Sequence, residues 1–535
     1  MNRRLPALLL AVACLLPFIR LGIGEIQPWD ESLYVIRAAA CLKFGAWLDQ
    51  TSYAVGHLYS ATHPPFGVWL IALSQYVFGN STFAIRFPVA LAASASIYFL
   101  WLLLRRFASP GAALIAAVSV AASDLFLQFS HLAQMECFIL FFGVASIYFL
   151  VLAIEQDGFG FTTLSGATLG LGLLTKFGFA LFVIPFFLLL PWAICKLRAI
   201  CHVLLAVIIG LAIAAPWFIM MSVRHADYWQ HVTASLLTLG EGHYAPSKLA
   251  WWYYLNRLIV AMPLLVVAFF FRNSNRLTVA SLAWLVTLLV GLQIVGTRMP
   301  HFAMILLTPG AILMGSCWDN AEELPSGWRK LFLLTVSLLV IAWSASEQVR
   351  LFLTGRFPWN DFIVRPEGVA AFGLTIALGI VAMKYSEAKS RMAVGFSALL
   401  LALAIGHLFS IQEKVYQNGA EQIANIVNTL PAKSRIVIIH PDFPNEEYAP
   451  QLAYYTDGWM LGWVPSKTSR AITWDSAAMN YYLPDSAREI AVITRFEDRF
   501  YHRPTSEAAL WGTLTSKLRQ VFSHARVYRS YVLYY

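Results

Sequence analysis

Long apolar runs recur along this chain, and they restrict its possible folds more than any other feature. The runs at 85–104 and 331–346 are dominated by Leu, Ile, Val, Phe and Ala and are almost without charge. A helix crosses a hydrocarbon core of about 30 Å with some 20 residues at about 1.5 Å each, which is the scale of these runs. A helix of this length in a water-soluble core would carry a polar stripe, and these do not. Only 13% of the residues are charged and 59% are hydrophobic, whereas a soluble domain is roughly a quarter charged. Lipid is therefore the main solvent. The expected fold class is mainly α, a polytopic transmembrane helical bundle of about 13 spans followed by a small C-terminal α/β soluble domain. Spans are expected near 5–23, 84–104, 110–126, 137–154, 160–175, 177–195, 203–222, 258–271, 277–295, 302–317, 330–346, 368–384 and 393–411.

The cysteines, Cys14, Cys41, Cys137, Cys195, Cys201 and Cys317, are scattered and none forms a CxxC pair. Neither a zinc site nor a disulfide framework is indicated. Met1-Asn2-Arg3-Arg4 before an apolar stretch resembles a secretory signal, but the stretch runs past Cys14 to Ile19 and reads as an uncleaved first span. The net charge of +9 shows no basic stripe of the kind that binds nucleic acid; the Lys and Arg residues cluster between spans instead. Arg3-Arg4, Arg105-Arg106, Lys196 and Arg198, Arg272 and Arg276, Arg329-Lys330, and Lys384, Lys389 and Arg391 fall on one side. The positive-inside rule makes that side cytoplasmic, the linker Glu155-Gln156-Asp157 being a mild exception. The other side receives the loops 24–83, 223–257 and 347–367 and everything after 411. A bacterial inner-membrane protein with a cytoplasmic N-terminus and a periplasmic C-terminal domain is expected, divided into 1–411 and 412–535. In the second part 435–440 and 489–494 read as buried strands, 506–522 as an amphipathic helix and 526–535 as a final strand. Within the first outer loop, 66–78 reads as an amphipathic stretch, and Trp251-Trp252-Tyr253-Tyr254 as aromatics at a membrane boundary.

Charge in a membrane is costly, so charged groups gathered at the outer ends of spans are candidate functional groups. They are Asp30, Glu31, His63, Arg86, Glu136, Lys176, Arg257, Arg298 and His301. Acids and bases converging on one face suit a reaction on an anionic lipid-linked substrate, whereas a transporter places such groups at mid-depth. Asp30 and Glu31 also read as caps of the following helix. Arg86 reads best as a side chain snorkelling to the interface. Glu136 reads equally as a site carboxylate and as an ion-pair partner. His63 and His301 read as hydrogen-bonded interface residues, since no metal-ligand spacing accompanies them.

Trp29-Asp30-Glu31-Ser32-Leu33-Tyr34, directly after the first span, is the most specific element. With His63-Pro64-Pro65-Phe66-Gly67-Val68-Trp69-Leu70, Phe78-Gly79-Asn80-Ser81 and Arg86-Phe87-Pro88, it resembles the GT-C superfamily of polyprenyl-phosphate-sugar glycosyltransferases. The similarity is to the branch holding protein O-mannosyltransferases, lipid A aminoarabinose transferases and lipopolysaccharide galacturonosyltransferases. Gln134-Met135-Glu136, Leu174-Thr175-Lys176-Phe177-Gly178, Pro216-Trp217-Phe218 and Thr297-Arg298-Met299-Pro300-His301-Phe302 match later landmarks in order. The chain departs from the family in carrying Glu136 where Asp is usual, Phe177 for Gly, Phe302 for Tyr and His63 for Lys. The resemblance spans roughly residues 1–320.

The resemblance implies transfer of a sugar from a polyprenyl-phosphate donor to a lipid A, polysaccharide or protein acceptor, with inversion. In that reaction a carboxylate takes the acceptor hydroxyl's proton and cations stabilise the departing phosphate. It makes Asp30 the expected base with Glu31 assisting, and Lys176, Arg298 and Arg257 the donor-phosphate ligands. Tyr59, His63, Glu136 and His301 complete the expected substrate site. No cofactor is indicated, and a divalent metal is left open without a motif to support it. The expected partners are the lipid-linked sugar, the acceptor and membrane lipids, not nucleic acid. A transporter or flippase of lipid-linked saccharides is the alternative, and it would favour internal repeats and broken helices; no repeat is present. A receptor using the C-terminal domain would leave the ordered charges without a use.

Overall fold

The computed structural model describes residues 4–27, 30–54, 61–241, 252–270, 275–295, 298–322, 366–385, 391–415 and 419–427, and strands with a few isolated residues beyond them up to Tyr534. The expected span 330–346, Trp251, Tyr59 and nearly all of the loop 347–367 and of the helix 506–522 lie outside the described residues, although Ser516, Arg519 and Gln520 are helical as expected. The helices are α1 (Arg4–Leu15), α2 (Asp30–Phe44), α3 (Phe66–Phe78), α4 (Thr82–Leu104), α5 (Pro110–Ala121), α6 (Asp124–Ser130), α7 (Glu136–Gln156), α8 (Phe159–Leu173), α9 (Phe177–Ala180) and α10 (Ile184–Ile194). They continue as α11 (Ala199–Arg224), α12 (Tyr228–Glu241), α13 (Tyr253–Ala261), α14 (Pro263–Phe270), α15 (Arg276–Ile294), α16 (Leu307–Glu322), α17 (Pro366–Tyr385), α18 (Arg391–Val415) and α19 (Ala420–Val427). A 3-10 segment, Pro300–Leu306, leads into α16.

Among the described residues six helices are long and apolar enough to cross a membrane, or seven if α5 and α6, bent by 61°, make one span. Several of the expected spans are shorter helices or broken ones. The stretch 160–175 holds α8, 177–195 holds α9 and α10 with the 3-10 turn Leu181–Val183 between them, and 258–271 is interrupted at Met262. A break inside lipid frees backbone groups that must find partners in neighbouring protein. One is visible here, because Trp284 Nε1 donates to the Phe182 carbonyl at 2.6 Å.

The chain divides into two compact units. The first comprises Met1–Leu21, His63–Gly67 and Arg86–Ile411. The most apolar stretch of α7 is 83% buried, against 28% for α11, the most exposed of the candidate spans among the described residues. α8 is wedged between these two helices. Helices in lipid gain no hydrophobic drive from meeting, so small residues and hydroxyls hold them together. Gly166 and Gly170 form a small-xxx-small face on α8 that meets Ala206 and Gly210 on α11. A Cβ at Gly166 would lie 2.7 Å from the Ala206 carbonyl oxygen, and one at Gly170 would lie 2.9 Å from that of Gly210. On the α7 side, the Ser146 and Ser165 hydroxyls each donate to the other's carbonyl at 2.8 Å.

The second unit comprises Gly22–Thr62, Val68–Ile85 and Gln412–Tyr535. Its α2 carries a buried Arg37 whose Nε donates to Gln50 Oε1 at 2.7 Å. Its strands are β1 (Arg435–Ile439), β2 (Thr473–Asp475), β3 (Asn480–Tyr482), β4 (Ile490–Arg495), β5 (Ala525–Tyr528) and β6 (Tyr531–Tyr534). One sheet has the order β1-β4-β6-β5, and β2 and β3 form a separate ribbon. β1 and β4 are parallel, with Val437 opposite Val492; β6 pairs antiparallel with β4 and with β5. The stretch expected as one terminal strand is thus a hairpin, Tyr528 facing Tyr531, since two residues suffice for a hairpin link. α19 packs on β5 and β6 and buries Ala420, Ile423 and Ala424.

Substituting Gly170 by Leu is expected to cost about 1–3 kcal/mol or more by overpacking α8 against α11. Gly160→Ala on the same helix is the control, because an added Cβ there meets nothing within 4 Å. Thermal unfolding in detergent should show a clear loss for the first variant only; equal losses would deny the close approach any special weight.

Candidate functional site

The polar groups of the first unit gather where α7 begins, α8 ends and Pro300–Leu306 passes. Glu136 is the first residue of α7, where the unpaired N–H groups of a helix start favour negative charge. Lys176 lies in the turn between α8 and α9. Its Nζ donates to Glu136 Oε1 at 2.8 Å, with the two side chains 7% and 6% exposed. Two opposite charges at this depth survive as ions because each is the other's partner; removing one is costly. His301 Nε2 lies 3.9 Å from the same oxygen, and its ring stands edge-on to Phe129 and Phe302. Glu136 Oε2 is buried and accepts no hydrogen bond.

Two further cations, Arg298 and Arg257, belong to Pro300–Leu306's lead-in and to the helix packed on it. Arg298 precedes Pro300–Leu306, and its Nε and Nη1 are both buried without a hydrogen-bond partner. Arg257, on α13, lies with Cζ 5.4 Å from the centroid of the Tyr253 ring, and its Nε is likewise buried and unpartnered. α13 packs against Pro300–Leu306, which also touches α7. Tyr254 is the link. It is fully buried and its hydroxyl is hydrogen-bonded to the Met299 backbone; burial pushes that hydroxyl's pKa up while the nearby Arg298 charge opposes the shift. Guanidinium nitrogens held in a buried place without a partner are prepared to receive an anion, because an unmade hydrogen bond to a charged donor is costly.

The Pro-Pro segment supports the same place. The Phe66 N–H donates to the Leu174 carbonyl at 3.0 Å, two residues before Lys176. A Cβ on Gly67 would collide with Met135 Sδ and lie 3.2 Å from Thr175 Cγ2. Met135 and Thr175 directly precede Glu136 and Lys176, so Gly67 sets how closely the ion pair's two backbones approach. His63 is half-buried at the head of this segment.

In the second unit Asp30 opens α2 and is half-buried. Glu31 is fully buried, and its Oε2 accepts the Gln27 N–H at 2.6 Å while the Ser32 N–H donates back to the Gln27 carbonyl. Glu31 thus ties the backbone just before α2 to the helix's first turn. Two readings of the sequence need correction. Arg86 is 1% exposed, so it is buried in protein and does not snorkel. Tyr254 is buried in protein, hydrogen-bonded to the Met299 backbone, and is not at a boundary, while Trp252 is 51% exposed. Sequence reasoning missed His131, which is buried with Nδ1 2.7 Å from the Leu127 carbonyl and Nε2 3.0 Å from that of Ile19. A lone histidine without a spaced partner carries no sequence signal.

A family model described as dolichyl-phosphate-mannose-protein mannosyltransferase matches residues 62–220, which include His63, Glu136 and Lys176. The undecaprenyl phosphate-alpha-4-amino-4-deoxy-L-arabinose arabinosyl transferase of Pseudomonas paraeruginosa is 29% identical over 413 residues, 72% of this chain and 72% of its own. The transferase of the same name from Edwardsiella ictaluri is 29% identical over 307 residues, 54% of each chain. The crystal structure of ArnT from Cupriavidus metallidurans in the apo state matches with a TM-score of 0.67 at 16% identity, over 99% of this chain and 97% of that one. The structure of the same protein bound to undecaprenyl phosphate gives 0.67 at 17%, with the same coverage. At such identity the structural likeness speaks for the fold. The ordered landmarks, the family model, the relatives and that fold agree on an integral-membrane glycosyltransferase, similar to the polyprenyl-phosphate-sugar transferases of the GT-C superfamily.

Proposed function

We propose that the chain moves a sugar from a polyprenyl-phosphate donor to a lipid acceptor at the periplasmic face of a bacterial inner membrane. The observations that carry this reading are the buried Glu136–Lys176 pair and, three residues before His301, Arg298 with its Nε and Nη1 buried and unpartnered. The names of the relatives support a polyprenyl carrier, as does the undecaprenyl phosphate bound to the Cupriavidus protein. The finer topology belongs to the same proposal. It has about 13 spans, a cytoplasmic N-terminus, and the segment 412–535 as a periplasmic α/β domain.

In this reading the acceptor oxygen attacks the anomeric carbon as the bond to the phosphate oxygen breaks, and that bond's electron pair leaves with the polyprenyl phosphate. Asp30 takes the acceptor's proton. Lys176 and Arg298, with Arg257 behind them, face the charge that grows on the leaving phosphate. Glu136 keeps Lys176 an ammonium despite its burial, and His301 lies beside both. Glu31 holds the backbone that carries Asp30. A single displacement inverts the anomeric centre.

Asp30→Asn should leave the unfolding temperature unchanged and lower transfer from a polyprenyl-phosphate sugar by about 10²–10⁴. Turnover at the wild-type rate would remove Asp30 as the base.

Arg298→Gln should lower donor turnover by about 10²–10³ without destabilising the protein, because Nε and Nη1 make no hydrogen bond to lose. Lys176→Met should lower both turnover and stability, since it leaves Glu136 buried and unpaired. Adding Glu136→Gln to that variant should restore the stability and not the turnover. Steady-state kinetics with detergent-solubilised donor, paired with thermal unfolding, separates these outcomes.

Gly67→Val should cut turnover while leaving most of the fold intact, by forcing Met135 and Thr175 away from the Pro-Pro segment. Unchanged kinetics would show that the ion pair tolerates the displacement.

A further inference from the structure

Within the second unit lies a cleft of about 670 Å³ that the transfer chemistry above does not use. Ligand pockets run from about 300 to 1,000 Å³, so it is large enough for a sugar with its linkage. One wall is the outer face of α19, which presents Glu421, Gln422 and Asn425 while Ile423 and Ala424 are buried beneath. The facing wall holds Asn80, Tyr454 and Tyr455. No lysine or arginine lies among the described residues that line the cleft.

The walls are fixed by hydrogen bonds. Glu25 lies at the base, 6% exposed, with Oε2 accepting the Gly419 N–H at 3.0 Å and Oε1 the Glu421 N–H at 3.2 Å. Its charge is thus engaged in capping α19. The Tyr454 hydroxyl and Gln75 Nε2 both donate to Asn80 Oδ1 at 2.9 Å, which fixes the orientation of the Asn80 amide. Tyr455 Oη accepts the Ile26 N–H at 2.7 Å. Burial raises both phenol pKa values, so the rings stay neutral.

Amides that donate and accept match the hydroxyls of a polyol. Neutral phenol rings offer flat apolar faces and a polar tip, as a sugar ring with its two unlike faces requires. A carboxylate on the wall, with no cation among the described lining residues, repels phosphate or sulfate and attracts an ammonium.

We propose that this cleft binds a saccharide without negative charge, an amino sugar by preference, and that it holds the sugar portion of the acceptor during transfer. The second clause rests on the proposed function; the first does not. Glu421 selects for the amine, and the amides and phenols recognise the ring.

The test uses full-length protein in detergent and saturation-transfer NMR with titration. The probes are a glucosamine disaccharide, its N-acetylated neutral counterpart and a sulfated disaccharide. The amine should bind best, the neutral sugar less well and the sulfated one not at all. Glu421→Gln should weaken the amine by about tenfold or more and leave the neutral sugar unchanged, since only a charge-assisted hydrogen bond is lost. Asn425→Trp should block both. Glu421 is exposed, so its variant keeps the test valid even if the tryptophan disturbs folding. Equal binding of the sulfated probe, or wild-type binding by Glu421→Gln, would overturn the proposal. Donor turnover on the same preparation separates the two readings. Probe binding without turnover would sink the transfer reading and leave the cleft; turnover without probe binding would sink the cleft alone.

Discussion

The first unit is arranged around a lysine and a glutamate that meet where water has little access. An ammonium and a carboxylate buried to this degree remain ions only while they face each other closely. Holding Lys176 Nζ at 2.8 Å from Glu136 Oε1 asks four pieces of backbone to agree. The start of α7 supplies the glutamate, and the turn after α8 supplies the lysine. The Pro-Pro segment ties to Leu174 and fits under Met135 because residue 67 has no side chain. The segment through His301 closes the remaining side. The uncommitted nitrogens of Arg298 and Arg257 are tolerable for a related reason, since an anionic ligand would complete their hydrogen bonding.

Lipid sets the terms for the helices that carry this pair. Apolar contact alone does not drive helices together in a membrane, and α7, α8 and α11 use close approach and reciprocal hydroxyl bonds instead. The α8–α11 contact depends on glycine at the crossing, and the α7–α8 contact on two serines. α7 is mostly buried by this packing, whereas most of α11 stays exposed. Breaks between α8 and α9 and around Leu181–Val183 are then affordable, because neighbouring helices receive the freed backbone groups.

Much of this was legible in the sequence. The apolar runs announced the helices at 82–104, 136–156, 199–224, 276–294 and 391–415, because length and hydrophobicity are local properties. The landmarks around Glu136, Lys176 and Arg298 marked the polar cluster, since charge at the end of an apolar run stands out. Which charges would pair was not local. Glu136 and Lys176 are forty positions apart, and nothing in either neighbourhood distinguishes them from Arg86, which looked interfacial and is buried. The walls of the saccharide cleft left even less trace. Asn80 lay within a landmark, but Glu421 and Tyr454, ordinary residues alone, become its neighbours only through folding over hundreds of positions. The hairpin at β5 and β6 was hidden for the opposite reason, its reversal being too short to interrupt a β-rich composition.

The Glu25 cap carries a consequence for biogenesis. Its carboxylate sits just after the first helix, yet the amides it satisfies belong to Gly419 and Glu421, 394 and 396 positions later. Tyr455 and Gln451 reach back to Ile26 across comparable distances. On the ribosome, the second unit therefore starts early and then waits while nearly all the intervening helices are threaded into the bilayer. During that interval the loop carrying Asp30 and Glu31 lacks its later partners and is open to membrane chaperones and proteases. Contacts of such separation close slowly, so maturation of this protein should be timed by the docking of its distal segment and not by insertion of its helices.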